Sequence, residues 1–71
     1  MNAREWIDAF AEKLGTEAPS AAEFSLLLDL AGEAAHGSER VAAPVACWVA
    51  ARAGATPEAG LHAAREIASG G

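Results

Sequence analysis

Glycine, proline, serine and threonine gather at three places, Gly15 to Ser20, Gly37 to Ser38 and Gly54 to Pro57, and cut 71 residues into four stretches with no long linker. Apolar residues recur at helical spacing in each stretch, and neither strand-like alternation nor an internal repeat is present. This punctuation predicts an all-α chain, a compact four-helix bundle with short loops in one domain spanning residues 1–71. At 7.2 kDa there is no room for separate catalytic and substrate domains.

The first helix is expected over about residues 3–14. Asn2 can cap it, Glu5 completes a capping box, and Gly15 suits a left-handed end. Trp6, Ile7, Phe10 and Leu14 share a face, leaving Arg4, Asp8, Glu12 and Lys13 for water. Ser20 and Glu23 repeat the box, so a second helix is expected over about 21–36, before Gly37, with Phe24, Leu27, Leu28, Ala31 and Ala35 as its main stripe. Leu26 and Leu30 widen that stripe enough to touch more than one neighbour.

A third helix is expected over about 42–53, with Pro44 in the first turn, where a missing N–H costs least. From Val41 to Ala51 it has no polar face, which predicts a central apolar helix with Val45, Trp48 and Val49 supplying bulk. Thr56 as cap and Pro57 at the first position open a fourth helix over about 57–68, carried on Leu61, Ala64, Ile67 and Ala68. Gly60 inside it costs roughly 1 kcal/mol relative to alanine.

Hydrophobic residues make up 52% of the chain and charged ones 21%, a folding composition, but twenty residues are alanine and the large apolar anchors are few. The core is therefore expected to be thin, and self-association or a protein partner to matter more than in a larger domain. A formal charge of −5 opposes binding to nucleic acid and to anionic membranes. No stretch is apolar enough to span a bilayer, Cys47 has no second cysteine to pair with, and Met1 to Glu5 lacks the apolar run of a signal peptide. A cytoplasmic setting is expected.

Chemistry-bearing groups are sparse. Glu33 and His36 have the Glu-x-x-His spacing of carboxylate-bridged metal bundles, but a second such motif is missing. Glu58, His62 and Glu66 form a ladder on a face expected to be solvated, and Cys47 lies in the most apolar helix, where burial quiets a thiol. Neither a glycine-rich phosphate loop nor a Cys-x-x-Cys pair occurs, so no catalytic residue, metal or cofactor is assigned. Size and charge also resemble acyl and peptidyl carrier proteins, with Ser38 near the depth of their modified serine, although Glu39 stands where those proteins carry leucine. The one connection that unites an imidazole, a hydroxyl, a carboxylate and a guanidinium is His36, Ser38, Glu39 and Arg40, the candidate binding residues.

Leu26-Leu27-Leu28-Asp29-Leu30-Ala31 leads into Ala35-His36-Gly37, then Glu39-Arg40, Ala42-Ala43-Pro44 and an apolar helix. This order resembles a small bacterial helical domain of unknown function, found alone or appended to molybdenum-cofactor guanylyltransferases, the enzymes that attach GMP to molybdopterin. The likeness extends to the Trp6 helix and to the short helix opened by Pro57. It implies a non-catalytic accessory or protein-interaction domain beside molybdenum-cofactor assembly, since the transferase's glycine-rich nucleotide-binding start has no counterpart here. The alternatives are a small metal- or ligand-binding helical protein and a carrier-like domain modified at Ser38.

Overall fold

A computed structural model describes residues 1–70. Four helices follow in order, α1 (Ala3–Leu14), α2 (Ala21–Gly37), α3 (Ala42–Arg52) and α4 (Pro57–Ala68), and no strand occurs among the described residues. The all-α bundle read from the sequence is the fold of the molecule.

Local chemistry sets the helix ends. The Asn2 side chain accepts from the Glu5 amide at 2.8 Å and the Glu5 carboxylate from the Asn2 amide at 2.9 Å. Ser20 and Glu23 repeat the exchange at 3.1 and 2.8 Å. These reciprocal boxes occupy amide donors that have no partner inside the helix. Gly15 closes α1 with φ 75°, a left-handed conformation that a side chain would strain. Gly37 does not play that part for α2. It stays helical, and Ser38 ends the helix by donating its hydroxyl to the Ala34 carbonyl at 2.7 Å.

The longest helix, α2, occupies the centre and packs on α4 along one side and on α3 along the other. Leu30 of α2 and Leu61 of α4 are 3% and 5% exposed, and Gly60 of α4 lies against Leu30 and against Ala50 of α3. With Ala11 they are the buried apolar side chains of the described chain, so the thin core expected from the alanine content is present.

The expected central place of α3 is not what the structure shows. Its neighbours are approached by small residues, Cys47 beside the Leu27 carbonyl and Ala50 against Gly60, and helical phase then turns Val41, Val45, Trp48 and Val49 to the opposite side. Trp48 is 61% exposed, and no α3 residue is fully buried. Small residues allow close approach, which left the bulky ones without a neighbour.

Helix α1 lies at a distance. Among the described residues no Cα of α1 comes within 8 Å of a Cα in another helix. The side that meets α2 carries Arg4, Ile7 and Ala11, so Arg4, expected in water, is half-buried and donates to the Pro19 carbonyl at 2.7 Å with its guanidinium 5.3 Å from the Phe24 ring centre. Trp6, Phe10 and Leu14, expected in the core, are exposed. An apolar gap of about 190 Å³ remains between Ile7, Phe24, Leu28 and Cys47. Consistent with this loose attachment, the radius of gyration is 12.5 Å, against about 11 Å for a compact chain of this length.

Candidate functional site

The last turn of α2 contributes Glu33, Ala34, His36 and Gly37 to a groove completed by Ser38, by Ala46 of α3 and by Ala64, Ile67 and Ala68 of α4. It encloses about 580 Å³ and opens to solvent. Alanines make the floor because α2, α3 and α4 converge here without bulky side chains to fill the space between them. Polar groups stand at the rim. Glu33 of α2 and Arg65 of α4 face each other across one edge, Oε1 to Nε 3.7 Å, an ion pair exposed enough to add little stability.

Two of the four sequence-derived binding residues, His36 and Ser38, line this groove. The Ser38 hydroxyl is engaged with the Ala34 carbonyl as the cap of α2. Glu39 and Arg40 are exposed and do not line it. Their carbonyls accept from the amides of Ala42 and Ala43 at 3.0 and 3.2 Å, which makes them the lead-in turn of α3. The turn thus divides into a groove-facing half and a helix-initiating half. Sequence reasoning did not find Ala46 and Ala64, because an alanine in a helix carries no chemical signal of the cavity it borders. Ile67 was read as part of the α4 core stripe, and it is 78% exposed at the groove edge.

The other reactive groups lie apart. Cys47 borders the apolar gap near α1 and a second cavity of about 380 Å³ beside Pro19 and Pro57, not the His36 groove. Burial pushes its thiol pKa up, because the thiolate would be charged in poorly solvated surroundings. His62 and Glu66 pair along the exposed face of α4, Nδ1 to Oε1 3.2 Å. Among the described residues no three or more His, Cys, Asp or Glu side chains are grouped so as to hold a metal, and no helix is long and apolar enough to cross a membrane.

The groove can accept an apolar side chain or a small ring on its floor and hydrogen-bond it from the rim through the His36 imidazole and the Glu33 carboxylate. Nothing matches the chain among curated proteins or among solved structures. One family model matches residues 1–70, and the chain therefore belongs to the family described as a domain of unknown function, DUF6457.

Proposed function

We propose that the protein is a non-catalytic accessory domain that binds another protein, and that its partner is a molybdenum-cofactor guanylyltransferase in the cytoplasm. The observation that carries the binding role is the groove, with an alanine floor, a polar rim at Glu33 and His36, and walls held by three helices. Recognition commonly uses such a cleft with few convergent polar groups. The separation of Cys47 from His36 supports a role without chemistry, since a nucleophile needs a base within hydrogen-bond reach. The link to the transferase rests on the sequence likeness across Leu26–Ala31 and the His36-Gly37 turn.

Calorimetric titration of the full chain into a purified guanylyltransferase from the same organism tests this reading. Saturable binding is expected, weakened by roughly tenfold or more in Ala64→Trp, whose side chain fills the groove, with helical circular dichroism retained. Absence of heat and of co-elution with the transferase would refute the partner. The groove volume, within the range of about 300–1,000 Å³ for small-molecule sites, favours a small ligand as the second reading. Native mass spectrometry of protein purified without dialysis would reveal it as a bound mass that Ala64→Trp removes.

A further inference from the structure

The chain exposes 5300 Å² of surface, whereas a compact monomer of 7.2 kDa exposes roughly 4,100 Å², an excess of about 1,200 Å². The excess has a location. On α1, Trp6, Phe10 and Leu14 form an exposed strip beside the face that meets α2, with the two aromatic rings stacked at 5.0 Å. On α3, Val41, Val45 and Trp48 form a second strip on the side away from the core. Together they present roughly 700 Å² of mostly apolar surface, close to what each partner contributes to a standard-size interface.

We propose that two copies of the chain pair through these strips about a twofold axis, α1 of each copy lying along α3 of the other. Area and shape select a second copy as the occupant. Within one chain the strips do not cover each other, yet α1 and α3 have nearly equal lengths, 12 and 11 residues, so each offers the other a matching footprint. Finally, two different strips on one chain, exchanged reciprocally, close into a dimer and leave neither exposed. This surface is separate from the His36 groove, so it stands whether or not the groove binds a transferase.

Sedimentation of the full chain over a micromolar to millimolar series reads the outcome. Wild type is expected at twice 7.2 kDa in the upper part of the range. Trp6→Glu and Trp48→Glu each weaken association by at least ~30-fold, the effect of losing a central aromatic, and since both side chains are exposed in the monomer, circular dichroism keeps the helical content. Mixing the two variants is the decisive step. A heterodimer regains one intact α1–α3 contact, from the Trp48→Glu copy's unaltered α1 and the Trp6→Glu copy's unaltered α3, and because a second glutamate in an already broken contact costs less than the first, the mixture associates more tightly than either variant alone. A wild-type monomer at the highest concentration overturns the proposal, as does a dimer indifferent to Trp48→Glu, a mixture no tighter than its components, or an open-ended series of larger species. A monomer that instead partitions onto phosphatidylcholine vesicles would assign the strips to a lipid surface and overturn it equally.

Discussion

A Cβ built on Gly60 would lie 3.3 Å from Cδ2 of Leu30 and 3.3 Å from Cβ of Ala50, so this glycine is the point at which α4 crosses both α2 and α3. The close crossing leaves little room for a side chain at a position where glycine's low helix propensity otherwise costs stability. Gly60→Ala gains about 1 kcal/mol of propensity and loses a similar amount to crowding against Leu30, which is buried. The expected net change in urea denaturation is under about 1 kcal/mol, whereas Gly60→Leu, whose side chain has nowhere to go, should cost at least ~2 kcal/mol.

With so few buried side chains, the core depends on each of them. Leu30→Ala or Leu61→Ala removes about 2–5 kcal/mol from a domain whose whole stability is of the order of 4–10 kcal/mol, and either variant is expected to be largely unfolded at 37 °C by circular dichroism. Ile67→Ala, a residue of the same expected stripe but 78% exposed, should change urea stability by less than ~0.5 kcal/mol.

The contrast between Leu61 and Ile67 marks how far the sequence is legible. Helix starts were readable, because Asn2-Glu5, Ser20-Glu23 and Thr56-Pro57 act within a few residues of themselves, and the Thr56 hydroxyl does accept from the Ala59 amide at 3.1 Å. Which face of a helix finds a neighbour was not. A run such as Val41 to Ala51 is apolar all round and has no phase to read, so the orientation of α3 was decided by where alanines permit close approach to α2 and α4. The His36 turn was legible as a polar concentration, and two of its side chains reach the groove. The groove itself is bounded by alanines from three segments, and only tertiary structure brings those together.

Arg4 is the principal polar tether of α1, through its 2.7 Å bond to the Pro19 carbonyl and its position over Phe24. Arg4→Ala should accelerate hydrogen exchange of α1 amides by roughly tenfold, the loss of one hydrogen bond to a charged group, while α2 and α4 amides keep their wild-type rates. Arg4→Lys retains the charge without the planar fork and should fall between the two.

Cys47 provides a pH test of the packing between α2 and α3. Burial raises the pKa of its thiol in the folded chain, so the folded protein keeps this proton to a higher pH than the unfolded one. Between those two values the folded state binds more protons, and the linkage relation then makes stability fall as pH rises. The contribution is complete below the titration of the unfolded thiol and is lost as pH climbs from there through the titration of the folded one. Urea midpoints of wild type should therefore sag in the alkaline range relative to Cys47→Ala, which has no proton to lose. Alkylation by iodoacetamide should be slower in the native chain than in urea at the same pH, since the thiolate is both scarcer and less accessible. Equal rates in the two states would mean that the seam between Leu27 and Cys47 is open to water in solution.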